Sequence, residues 1–136
     1  MLVDADNLDA GRLRLVAAEL ARAGAAVAAR TVVAGHPAKL ARLAWPPGAD
    51  VRDASGWQSA DAALAAAYVV DDAPLVLVTG DGDFALLAAR HPGPVLVVGV
   101  SGATSSRLRE HATVVDPVHD GVERLRSWLL ATPPSA

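Results

Sequence analysis

The chain has 136 residues, enough for one domain with a full single core. Charged residues make up 20% and apolar ones 52%, which excludes a disordered chain, and the absence of cysteine excludes disulfides and thiolate metal centres. The net charge of -3 comes from eleven arginines and one lysine against twelve aspartates and three glutamates, with no basic stripe of a dedicated nucleic-acid binder.

No charged segment precedes an apolar leader, and the apolar runs are too short to span a bilayer, so a cytoplasmic protein is expected. In chain order, Leu2-Val3 reads as a very short strand. Residues 9–23 read as a helix with Leu13, Val16 and Leu20 on one face, stopped by Gly24. Residues 26–33 are β-branched enough for a strand, broken by Gly35-His36-Pro37, and Pro37 opens a short helix through Leu43. A turn at Trp45-Pro46-Pro47-Gly48 leads to a short strand over 50–53. Ser59 can cap a helix over 60–70, and Asp72-Ala73-Pro74 ends it.

Residues 75–79 form the best strand of the chain, 83–90 a helix, and 95–100 another all-apolar strand. A polar loop over 101–106 feeds a short helix holding Leu108, and 113–115 is a last strand. Asp116-Pro117 reads as an N-cap and first helical position, with Val118, Val122, Leu125 and Leu129 as the apolar stripe of the final helix. A single domain over 1–131 and a frayed tail at 132–136 are expected. Strands that alternate with helices and are apolar throughout predict an α/β fold with a mostly parallel sheet covered on both sides.

The chemistry concentrates in two stretches. Thr79-Gly80-Asp81-Gly82-Asp83-Phe84 follows the best strand, and Asp4-Ala5-Asp6-Asn7 follows the first. In a doubly wound sheet these strands lie side by side, so Asp4 and Asp81 sit at neighbouring carboxyl ends, the edge where such folds place chemistry. Asp61, at a helix start, completes the cluster. Converging carboxylates call for a cation, and hard oxygen ligands select Mg²⁺ or Mn²⁺. Each acid also has a plainer role: Asp81-Gly82-Asp83 as a turn with Asp83 as N-cap, Asp4 and Asn7 as loop and cap residues, Asp6 as a solvent-facing acid, and Asp61 as a complement to a helix dipole. Arg30, His36 and Lys39 are candidates for a groove rim, and Trp45 and Trp57 for base stacking or core packing. His91, His111 and His119 show no ligand spacing and read as surface or packing residues.

These residues resemble the three motifs of the NYN domains, a branch of the PIN-like nucleases. Asp4-Ala5-Asp6-Asn7 is similar to the first, Ser59-Ala60-Asp61 to the middle one, and Thr79 to Phe84 to the third, over about residues 2–117. The resemblance implies a three-layer α/β/α PIN-like fold and metal-dependent hydrolysis of RNA, most naturally single-stranded, leaving a 5′-phosphate and a 3′-hydroxyl. By position it implies Asp4, Asp61, Asp81 and Asp83 as metal ligands, Asn7 as an orienting group and Thr79 as support for metal or phosphate.

Ser105, Arg107 and Arg109, in and after a Ser/Thr-rich loop, are candidates for holding substrate phosphate, with a capped surface helix as the equal alternative. Gln58 stands where the middle motif often carries a lysine, and Ala65-Ala66-Ala67 stands where a further acid is common. Those departures point to the alternative, a catalytically degenerate PIN-like module that binds RNA or protein, while the retained Asp4, Asp61, Asp81 and Asp83 oppose it. Nothing in the sequence marks a protein partner or a homodimer interface.

Overall fold

The computed structural model describes residues 1–55 and 59–131. Valine- and leucine-rich segments form the centre of a six-stranded sheet: β1 (Leu2–Asp4), β2 (Val32–Gly35), β4 (Leu75–Val78) and β5 (Val95–Val98), with β3 (Asp50–Asp53) and β6 (Thr113–Val115) at the edges. The order is β3-β2-β1-β4-β5-β6, and every pairing is parallel. Leu2 and Val3 face Leu77 and Val78 in register, so β1 and β4 are central neighbours. Chain order reverses between these two strands, which opens a crevice beyond their carboxyl ends.

Alternation along the strands divides the core into two layers. Val3, Val33, Val76, Val78, Leu96 and Val98 pack beneath α1 (Ala10–Ala23), α3 (Pro37–Leu40) and α7 (Glu123–Ala131), through Leu13, Val16, Leu40, Leu125 and Leu129. On the other face Leu2, Ala34, Leu75, Leu77, Val95 and Val97 meet α4 (Ala60–Ala67), α5 (Ala85–Arg90) and α6 (Ser106–Arg109), through Ala60, Leu64, Ala85, Ala88 and Leu108. The chain is therefore an α/β protein with an all-parallel sheet between two helical layers. Among the described residues no helix is long and apolar enough to cross a membrane.

Several elements differ from the sequence reading. The expected strand over 26–33 is first a helical turn, α2 (Ala25–Ala28), and pairing starts only at Val32. Three of those four residues are alanine, the best helix former, and that outweighs the single Val27. The helix from Pro37 ends at Leu40 rather than Leu43. α4 stops at Ala67, three residues short of Val70, because Tyr68 turns extended to reach His91. Ser59 makes no side-chain cap bond there.

Residues 82–84 form a single 3₁₀ turn before α5, capped by Asp81 rather than Asp83. The strands at 75 and 95 end at Val78 and Val98, short of Thr79 and Val100. β3 is exposed along its length, as an edge strand can be, so burial on both faces does not extend to it. The last helix begins at Glu123, not at Pro117. Asp116 spends its carboxylate on a tight turn, and Gly121 follows with φ +83°, a left-handed conformation that interrupts any helix there. Val118 consequently stays 60% exposed, outside the apolar stripe. Trp57, Gln58 and the tail at 132–136 lie outside the described residues.

Candidate metal centre

β1 and β4 deliver their acids to one crevice. Asp4 is the last residue of β1 and its side chain is buried, 4% exposed. The chain leaves β4 through Thr79 and Gly80 and turns at Asp81, whose Oδ1 accepts from Asp83 N at 3.0 Å. That turn fixes Asp81 and Asp83 close together, and the first turn of α4 brings in Asp61. Carboxylate oxygens of Asp61, Asp81 and Asp83 all lie within 4.8 Å of one another. None of the three forms an ion pair among the described residues.

Thr79 joins Asp4 to this group. Its hydroxyl donates to Asp4 Oδ2 at 3.2 Å and accepts from Asp81 N at 3.2 Å, so one side chain fixes the ends of both strands. Asn7 Oδ1 accepts from Gly80 N at 2.6 Å and clamps the β4 exit against the β1 exit. Asp6 is exposed, as expected, and also accepts from His36 N at 2.8 Å, bracing the neighbouring loop. The signal for that role was local: an acid in a strand-end loop, opposite a residue whose amide no ladder uses.

The candidates for substrate contact separate. A Cβ at Gly82 would stand 2.7 Å from Ser105 Oγ and 3.7 Å from Arg107 Nη1. Only glycine lets α6 approach the acidic turn this closely, and the approach sets the Arg107 guanidinium beside Asp81-Gly82-Asp83. Ser105 Oγ accepts from Arg107 N at 3.3 Å and so caps α6. Arg109 Nε instead turns back onto the Thr104 carbonyl. Arg30 precedes β2 at the opposite, amino edge of the sheet beside Asp71, so it is no rim residue. Lys39 Nζ is held on the Leu8 carbonyl, and Trp45 packs against the core.

Burial pushes the Asp4 carboxyl up from 3.8 to about 6, with Thr79 opposing and Asp6 and Asp61 adding repulsion. An acid whose folded value is raised binds its proton more tightly when folded. Stability from this group is therefore complete below about pH 4 and is lost as pH rises toward 6. The loss is up to about 3 kcal/mol. Asp4→Asn, which still accepts from Thr79, is expected to be more stable than the parent at pH 8 in chelator and to converge with it at pH 4. Urea unfolding at both pH values checks this, and a variant less stable at pH 8 would refute it.

A donor set of hard carboxylate oxygens, none of them in an ion pair among the described residues, fits Mg²⁺ or Mn²⁺ and suits neither a soft metal nor an anion. No family model and no curated protein matches the chain. Among solved structures, a protein of unknown function from Vibrio parahaemolyticus is similar: 22% identical, covering 85% of this chain and 90% of that one, with a TM-score of 0.44.

Proposed function

We propose that the chain is a metal-dependent ribonuclease of the PIN-like, NYN type, acting on single-stranded RNA in the cytoplasm. The observation that carries this reading is the convergence of Asp61, Asp81 and Asp83 oxygens within 4.8 Å at the point where strand order reverses, with none of the three in an ion pair among the described residues. Asp61, Asp81 and Asp83 would hold Mg²⁺ or Mn²⁺, with Asp4 behind them as a further oxygen donor. When bound, such an ion lowers the pKa of a water and offsets charge on a phosphodiester.

The protein's own groups supply positioning. Thr79 and Asn7 hold the two strand ends rigidly, so the carboxylates need no reorganisation on ligand binding. Arg107, beside the acidic turn, is placed to hold a phosphate oxygen of the substrate, where a planar guanidinium binds in a fork. Arg107→Ala is expected to raise KM for RNA by roughly tenfold with a smaller change in kcat, the loss of one charge-assisted contact. Steady-state kinetics check it, and an unchanged KM would remove Arg107 from the substrate path.

Product analysis tests the reaction. Cleavage should require Mg²⁺ or Mn²⁺, stop in EDTA, and leave 5′-phosphate and 3′-hydroxyl ends. A 2′-deoxy substitution at the scissile nucleotide should not block it, because a water and not the neighbouring 2′-hydroxyl attacks. Cyclic 2′,3′-phosphate ends, or cutting that persists in EDTA, would overturn the reading.

A further inference from the structure

A groove of about 430 Å³ runs between α4 and α5, and two of its lining residues are Asp61 and Asp83. It therefore opens onto the candidate metal centre. Ala65 and Leu86 give it apolar walls, and Tyr68 just past α4 and Arg90 from the last turn of α5 line it as well. Leu86 is 58% exposed, so the apolar wall stands uncovered.

The Tyr68 ring is not free to swing. Its hydroxyl lies 2.6 Å from His91 Nδ1, and His91 Nε2 lies 2.6 Å from the Ala73 carbonyl. A carbonyl only accepts, so Nε2 carries a hydrogen, and in the neutral imidazole Nδ1 then accepts from the tyrosine. The two rings also meet edge to face, with centroids 5.7 Å apart. A buried histidine thus fixes the side chain of Tyr68, one of the residues that line a groove reaching two carboxylates.

We propose that this groove is a nucleobase subsite, seating the base of the nucleotide next to the scissile phosphate. The inference rests on the nuclease reading and adds where that enzyme grips its substrate. Its volume falls within the range of small-molecule sites. A fixed aromatic ring with apolar walls suits the flat face of a base, and stacking of this kind accepts any base. Sharing Asp61 and Asp83 puts the phosphate of the seated nucleotide at the acids, and Arg90 offers the opposite charge to the next phosphate along.

Ala65→Leu tests it, since Ala65 is exposed on α4 and leucine there fills the groove without entering the core. Binding and cleavage are followed on a short single-stranded RNA and on copies carrying one abasic ribose at successive positions. The parent should bind about tenfold more weakly when one particular position is abasic, and Ala65→Leu should bind intact RNA about tenfold more weakly and ignore that abasic site. Separately, an uncharged nucleoside in EDTA, with no phosphate for the acids to repel, should shift the amide resonances of Ala65, Leu86 and Arg90 in the parent and not those of the groove in Ala65→Leu.

Those shifts without any RNA cleavage would refute the nuclease, and with it the place of the subsite beside a scissile phosphate, and would leave a groove that only binds a base. Metal-dependent cleavage with no shifts, and with Ala65→Leu equal to the parent on every substrate, would refute the subsite and leave the nuclease. If Leu86→Glu splits a dimer and leaves nucleotide binding and cleavage intact, the face belongs to a second copy and the subsite is overturned.

Discussion

Asp81→Asn should lower metal-dependent RNA cleavage by more than about 100-fold, because even residues that only support metal ligands cost about 10–100-fold when changed. The substitution is nearly silent structurally. Asparagine retains an oxygen to accept from Asp83 N, and its backbone still donates to Thr79, so the turn after β4 persists. What disappears is one negative charge from a group of carboxylates within 4.8 Å of one another. In EDTA the variant should therefore unfold at the same temperature as the parent or slightly higher, since like charges have been relieved.

Cation binding separates the two proteins. A ligand at a hundred times its dissociation constant stabilises the folded state by about 2.7 kcal/mol. For a chain of this size that is roughly 8–10 °C. Mn²⁺ should raise the parent's Tm by about this amount and the variant's by far less. Equal shifts in both, or wild-type cleavage by the variant, would show that Asp81 holds no cation.

Asp116→Asn should cost about 3 kcal/mol, or roughly 10 °C in Tm, by breaking a buried ion pair and crowding donors together. Asp116 is 3% exposed at the end of β6. It accepts from Arg12 Nε at 2.9 Å and Nη2 at 2.8 Å, from Ser101 N at 2.7 Å, and from Val118 N and His119 N. Oδ2 alone takes both Arg12 Nη2 and Ser101 N. An amide nitrogen in either position would set donor against donor.

The Arg12 guanidinium, helped by those backbone amides, holds the Asp116 carboxyl well below the usual carboxylate range. A depressed folded value gives stability that is present above about pH 4 and is lost as pH falls further. The gap between parent and variant in urea unfolding should thus be full at pH 7 and narrow by pH 2. A difference below about 1 kcal/mol at pH 7 would mean that the amides suffice without the charge. Ser101 begins the loop that leads to Ser105 and Arg107, so the variant should also raise KM for RNA.

The central strands were legible because β4 and β5 are unbroken apolar runs, and burial on both faces leaves little else for such runs to be. The β1–β4 adjacency followed from the winding rule, which is why Asp4 and Asp81 could be assigned to neighbouring strand ends. Local propensity misled where tertiary contacts or alanine content decided. Val27 suggested a strand, yet its alanine neighbours coil into α2. α4 ends early to satisfy a tyrosine–histidine contact between residues 23 apart. Asp116 looked like a helix cap because its other partner, Arg12, lies 104 residues away. No periodicity reports such a pair.

Among the candidate site residues, Asp61, Asp81 and Asp83 come together, Thr79 and Asn7 lock the strand ends, and Arg107 lies beside the acidic turn while Arg109 turns away. The groove beyond the acids was invisible in the sequence. Ala65, Tyr68, Leu86 and Arg90 share no motif, and only the packing of α4 beside α5 assembles them.

The rate of cleavage of a labelled single-stranded RNA as a function of Mn²⁺ concentration, for the parent and Asp81→Asn side by side, tests the central claim most directly. The parent should show a saturable rise and no cutting in EDTA, and the variant should stay near background at every concentration. A folded parent that binds the RNA yet never cuts it at any Mn²⁺ concentration would rule out the nuclease and leave a binding module in its place.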